Sequence, residues 1–338
     1  MKLTFEQIKG FTHGAVRFTQ TDEAVRFYRF TEEQESVYKK ERPEWVYSQI
    51  YSSSGIKIEF NTDSTSMLLK VNTWAASSRT YFSIDIFADE KNVGNIDNFS
   101  NITLKENYTV DSYSLGEFAR LFELGDGIKK VSIYLPWSVV SEIKEIELDD
   151  NSFAEPIKHE KILLAFGDSI TQGYDTLRPC NHYINRLAKM MNVDVYNKGI
   201  GGEIFFPVLS ECKDDFKPDY ITVAYGTNDW FSIDKEIFKE RCRNFYKNLS
   251  NNYPDSRIFA LSPTWRKNYT DEKLFGNFEN VGKYIEDIVK YISNITYIDG
   301  FDLIPHNPKM FGDLSLHPND EGFGHYAKEL YDKIKGCI

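Results

Sequence analysis

Between residues 56 and 135 apolar and polar positions alternate in short runs. Ile56-Lys57-Ile58-Glu59-Phe60 is one, residues 67–71 make a second, and Phe82-Ser83-Ile84-Asp85-Ile86 and Val131-Ser132-Ile133-Tyr134-Leu135 follow the same rhythm. Successive side chains of an extended chain point to opposite sides, so each run has one apolar face. Polar clusters such as Asn61-Thr62-Asp63-Ser64 and Gly125-Asp126-Gly127 separate the runs. This pattern predicts an antiparallel sandwich, polar on its outer faces, over residues 1–152. Parts of the first 50 residues are less regular and carry few assignments.

After residue 155 the rhythm becomes strand, loop, helix. Apolar runs at 162–166, 193–196, 220–225, 258–261 and 295–298 read as strands. Residues 182–191, 237–249, 281–292 and 320–335 have helical spacing between them. Five strands alternating with helices imply a parallel sheet covered on both faces, an α/β domain over residues 153–338. The joint falls in the polar stretch 149–160, which contains Pro156.

Composition narrows the function classes. The chain has 338 residues, 41% hydrophobic and 27% charged, enough for two ordinary domains with cores. A formal charge of −11 argues against a general nucleic-acid binder, because phosphate contact needs a dense Lys/Arg surface. No apolar stretch is long enough for a spanning helix, so no membrane partner is expected. The opening M-K-L-T-F-E-Q-I-K-G has no apolar segment of the secretory type. Cys180, Cys212, Cys242 and Cys337 are far apart and form no C-x-x-C pair, which suits free thiols in the cytoplasm. His13, His159 and His306 have no companions in sequence, and no histidine pair has metal-ligand spacing. Neither a metal nor another cofactor is expected.

The chemistry starts at Gly167-Asp168-Ser169, directly after the first strand of the α/β half. Ligands collect at the carboxyl ends of strands in such sheets. Asp168 and Ser169 would also serve simply as helix caps. Three further blocks join them. Asn197-Lys198-Gly199-Ile200-Gly201-Gly202 follows the second strand, Gly226-Thr227-Asn228-Asp229 the third, and Asp313-Leu314-Ser315-Leu316-His317-Pro318 precedes the last helix. A parallel sheet brings these positions together. A serine beside a histidine base, with a glycine N–H and an asparagine amide facing the developing oxyanion, is the equipment of acyl transfer.

These four blocks, in this order, resemble the SGNH hydrolases, also called GDSL esterases/lipases, over about residues 160–338. The resemblance implies a flavodoxin-like three-layer α/β/α fold. It implies Ser169 as nucleophile, His317 as base, and an oxyanion hole from the Ser169 and Gly202 N–H groups and the Asn228 side chain. Gly199 and Gly201 are rivals to Gly202. No G-x-S-x-G elbow is present, which disfavours the α/β-hydrolase alternative. The family's aspartate stands three residues before its histidine, where this chain has Leu314; Asp313 stands four before. Either a bulge absorbs the extra residue and Asp313 reaches the ring, or a backbone carbonyl orients it; Asp302 and Asp320 are further candidates. Asp168 reads as a cap, Asp229 as the residue holding the Asn228 loop, and His325 as structural, while His182 opens a helix near the site.

Tyr174, Phe205, Phe206, Trp230 and Trp265 follow strands and are candidates for a substrate pocket or for the core. Of these, Trp230, Tyr174 and Phe205 are taken as the substrate-binding set. A jelly-roll-like domain ahead of an SGNH domain is similar to carbohydrate esterase family 2 and related acetylesterases. That implies removal of acetyl groups from saccharides, and a cytosolic location favours small acetylated sugars over intact polymer. The alternatives are a lipase-type acylhydrolase, a thioester-dependent acyltransferase, and a carbohydrate-binding protein that keeps the fold as scaffold. Assembly state is not readable from the sequence.

Overall fold

The computed structural model describes residues 1–21 and 23–338. In the N-terminal half two antiparallel sheets face each other. One has the strand order Thr12–His13, Lys57–Thr62, Lys129–Tyr134, Ser83–Ala88, Lys91–Asp97, with Glu155–Pro156 added beside Lys57–Thr62. The other runs Arg17–Gln20, Val25–Tyr28, Val139–Leu148, Ser66–Ala75, Glu117–Glu123. The alternating runs explain the pairing: Ile58 and Phe60 from one sheet and Met67, Leu69 and Val71 from the other are all fully buried in one core. Val139–Leu148 carries a bulge between Ile143 and Glu145 that keeps Ile143 and Ile146 both inward. The less regular start holds helices Phe5–Phe11 and Glu32–Glu41, each opened by a threonine capping box, at Thr4 and Thr31.

The C-terminal half is a five-stranded parallel sheet. Its order is Asp194–Asn197, Ile162–Gly167, Tyr220–Ala224, Arg257–Leu261, Ile295–Ile298. Numbered within this half that is 2-1-3-4-5, the flavodoxin-like order, with its switch point between the first and third strands. Helices Tyr183–Met191 and Asp320–Ile334 cover one face, and Lys235–Asn252 and Glu279–Val289 the other. Both faces are buried, so the strands are apolar throughout rather than alternating: Leu163, Leu164 and Ala165 are all inaccessible. Among the described residues no helix is long and apolar enough to cross a membrane.

The two halves are joined by more than the connecting chain. Arg29, 1% exposed, donates from Nη1 to the carbonyls of Asn197 at 2.8 Å and Gly199 at 3.0 Å. Its other nitrogens donate to Gln49 O, Ser52 O and Ser52 Oγ within its own half. Gln49 Nε2 donates to Gly201 O at 3.0 Å, and Arg42 pairs with Glu203 at 2.7 Å. The segment after the second parallel strand is therefore held from the sandwich side.

Candidate active site

Ser169 sits at the start of a short helix, Ser169–Gln172, directly after the strand Ile162–Gly167. Asp168 caps that helix by accepting from Ile170 N at 3.0 Å, which leaves the buried Ser169 hydroxyl free for other partners. Ser169 Oγ lies 2.8 Å from His317 Nε2. On the far side of the ring, His317 Nδ1 lies 2.8 Å from Asp313 Oδ2.

The four-residue spacing works because Leu314 adopts φ 60°, the left-handed region, and takes up the extra residue. Asp313 Oδ1 then accepts from the backbone N–H groups of Ser315, Leu316 and His317 at 2.9, 2.7 and 3.1 Å. One carboxylate oxygen is locked by the loop, and the other is aimed at the ring. Burial pushes this carboxyl up, but the His317 contact and the backbone donors outweigh it and hold it well below the usual carboxylate range. Asp302 instead pairs with His306 at 3.0 Å, and Asp320 accepts from Thr176 Oγ1 at 2.6 Å; neither faces His317.

Free donors surround the serine. In the glycine-rich segment, Gly199 N–H donates to Asn197 Oδ1 at 2.8 Å and Gly201 N–H to Gln172 Oε1 at 2.6 Å. The Gly202 and Ser169 N–H groups find no acceptor among the described residues. Gly202 has φ 78°, a conformation that favours glycine, and a Cβ there would fall 2.5 Å from the exposed Trp45 ring. Asn228 Nδ2 gives one hydrogen to Glu203 O at 2.9 Å and keeps its second.

These groups line a cleft of about 470 Å³. Trp45, Gln49, Ala76 and Ser78 of the sandwich half form one wall, and Ser169, Gly202, Asn228 and His317 the other. Tyr174 belongs to the cleft: its ring lies 5.1 Å from that of His317 and its hydroxyl donates to Gln49 Oε1 at 2.8 Å. Trp230 and Phe205 do not. Trp230 is fully buried, with Nε1 donating to Gly276 O at 2.8 Å, and Phe205 is fully buried among Tyr225, Phe238, Phe245 and Tyr246. Phe206 and Trp265 also pack in the interior. A second aromatic of the cleft is Trp45, 62% exposed, which lies in the less regular first 50 residues.

Other histidines resolve differently. His182 is buried under Gly173, 3.3 Å from Ile170 O, and burial pushes its imidazole down to about 3. His325 is exposed on the last helix. His13 and His159, without companions in sequence, meet in space with rings 5.0 Å apart, and Glu59 stands 3.0 Å from His159. Lys57 Nζ lies 2.6 Å from that same Glu59 carboxylate, and Lys130 Nζ 3.6 Å from its other oxygen.

Residues 165–324 match the model of the GDSL-like Lipase/Acylhydrolase family. The match covers most of the parallel-sheet domain and less than half of the chain. No curated protein matches the chain. Among solved structures it is similar to the salicylyl-acyltransferase SsfX3 of a tetracycline biosynthetic pathway, at 16% identity and TM-score 0.78, covering 96% of this chain and 94% of that one. A protein of Bacteroides ovatus assigned as a GDSL-like lipase aligns at 18% identity and TM-score 0.75, covering 99% and 97%. A family two carbohydrate esterase from Clostridium thermocellum, solved with cellohexaose, aligns at 14% and 0.66, covering 96% and 98%. These likenesses span both halves, so the sandwich and the GDSL-like domain share one arrangement across them.

The loops of this GDSL-like domain are joined below the cleft by Asp229, whose Oδ1 accepts from Phe205 N at 3.1 Å. Burial first, then the neighbouring Asp168 and Glu203, push Asp229 up to about 8. A carboxyl whose folded value is raised keeps a proton that the unfolded chain releases. Its effect on stability is absent below the unfolded value near 3.8 and grows more unfavourable as pH rises toward 8. Asp229→Asn keeps the oxygen that accepts from Phe205 and removes the charge. It is expected to unfold at a higher temperature than wild type at pH 8, by about 2–4 °C for each kcal/mol relieved, with the gap closing as pH falls toward 5. Thermal unfolding followed across that range checks this, and parallel curves would contradict it.

Proposed function

We propose that the chain is a serine esterase that removes small acyl groups, acetyl foremost, from carbohydrate. The observation that carries this is the continuous line Asp313–His317–Ser169, 2.8 Å at each step, on the floor of a cleft with free donors. Ser169 Oγ attacks the ester carbonyl while His317 Nε2 takes its proton. Asp313 holds the Nδ1–H and stabilises the imidazolium that results. The Ser169 and Gly202 N–H groups and the free Asn228 hydrogen receive the charge on the carbonyl oxygen. His317 returns the proton to the alcohol as the C–O bond breaks. It then activates the water that releases the acid.

The substrate class rests on the cleft walls. Small side chains make up much of them, including Ser48, Ser77, Ser78, Ala75 and Gly201, and the large exposed ring is Trp45. An indole beside serine hydroxyls suits a sugar ring better than an acyl chain. A panel of acetylated saccharides set against esters of rising acyl length tests the reading. Acetyl esters are expected to turn over fastest. Trp45→Ala is expected to raise KM for an acetylated saccharide about tenfold, or ~1.4 kcal/mol, with kcat nearly unchanged. Rates that climb with chain length would reassign the site to lipid, and transfer to an added alcohol in place of hydrolysis would make it an acyltransferase.

A further inference from the structure

A second carboxylate faces the same histidine. Asp175 is fully buried, and its Oδ2 lies 3.6 Å from His317 Nδ1 with no hydrogen-bond partner among the described residues. A buried carboxylate oxygen without a donor is costly, so its placement calls for a reason. Three features put it there. Its other oxygen accepts from Arg79 Nε at 3.0 Å and from the Tyr81 hydroxyl at 2.7 Å, both from the sandwich half. Its backbone sits at φ 70°, with its carbonyl accepting from the Tyr108 hydroxyl. Gly312, next to Asp313, lets it approach, because a Cβ there would come within 2.8 Å of the Asp175 Cβ and 2.5 Å of the Tyr108 oxygen. Side-chain bonds, backbone conformation and the missing side chain all serve to bring one carboxylate against the imidazole.

We propose that Asp175 is a second positioning carboxylate for His317, delivered by the sandwich half, so that the imidazole is flanked by two acids rather than one. This rests on the esterase reading, in which His317 is the base. Asp313 holds the Nδ1–H at 2.8 Å; Asp175 stands beside it, adds negative charge where the imidazolium forms, and takes over the N–H when Asp313 is removed. The charged and titratable groups facing the ring are few. Asp313 comes from its own loop, Asp175 and the Tyr174 ring from the loop after the nucleophile, and Asp168 from below. Behind the carboxylates stand Arg79, Tyr81 and Tyr108 from the sandwich and Arg266 from the loop after the fourth parallel strand.

The test is kcat/KM for acetyl-ester hydrolysis across roughly pH 5 to 9, with thermal unfolding as a folding control. Asp175→Asn is expected to move the acidic limb to lower pH by about one unit, because an anion beside the imidazole is lost. Arg79→Gln, which keeps a donor to Asp175 and removes the opposing cation, is expected to move it to higher pH. A merely structural role would lower activity at every pH and leave the limb in place. Asp313→Ala is expected to stay within about tenfold of wild type, and Asp313→Ala with Asp175→Asn to fall about tenfold below the product of the two single effects. Unmoved limbs in both charge variants, or a double variant that simply multiplies, would overturn the proposal. If Asp175→Asn does not fold, the Arg79→Gln limb decides. His317→Ala run alongside separates the two claims. Wild-type activity in that variant removes the esterase reading, whereas lost activity with unmoved limbs removes only Asp175.

Discussion

Ser169→Ala is expected to lower kcat/KM for acetyl-ester hydrolysis by about 10⁴-fold or more while leaving the fold in place. The substitution deletes one oxygen, 2.8 Å from His317 Nε2, at a residue only 4% exposed. What holds the short helix does not involve that oxygen. Asp168 caps it through Ile170 N at 3.0 Å, and the Thr171 and Tyr183 hydroxyls pair at 2.8 Å. Initial rates and a thermal unfolding curve on the same preparation measure both halves of the claim. Activity within tenfold of wild type, in a variant that unfolds normally, would rule out a serine acyl-enzyme.

The second large effect is expected at Asn228. Of the three donors proposed for the oxyanion, two are backbone N–H groups that no substitution removes, so the amide is the one that mutagenesis can reach. Asn228→Ala is expected to cost about 10²–10³ in kcat, with KM changed little, because the oxyanion exists only in the transition state. The same change releases Glu203 O, to which Nδ2 donates at 2.9 Å. A loop set free in that way would weaken substrate binding as well as turnover, so kcat and KM measured separately tell the two apart. A loss confined to KM would place Asn228 outside the oxyanion site.

Much of this architecture could be read from residue patterns, and the failures have local causes. The parallel strands were legible because both faces are buried, which leaves uninterrupted apolar runs such as Leu163-Leu164-Ala165. The strand Val139–Leu148 was not, because its bulge moves Ile143 and Ile146 to three-residue spacing and breaks the period of two. Trp230 looked like a cleft residue because it follows Asn228 by two positions. On the helix Thr227–Ser232, however, two residues amount to about 200° of rotation, so the ring points away from the amide and into the core. Asp313 could be named as an orienting candidate from sequence, but the left-handed turn at Leu314 that makes its spacing work could not. Trp45 and Asp175 had no signal at all. One lies in an unpatterned stretch, and the other owes its position to Arg79 and Tyr81, 96 and 94 residues away along the chain.

The guanidinium of Arg29, spread over carbonyls on both sides of the seam, bears on how such a protein can change through descent. Recombination that swapped one half for a distant counterpart would separate the arginine from the carbonyls of Asn197 and Gly199 and leave a buried cation facing a surface not shaped for it. Such hybrids are at a disadvantage before any question of substrate arises. The two halves therefore fit each other as one unit, and altering the rim of the cleft disturbs that fit less than exchanging either half.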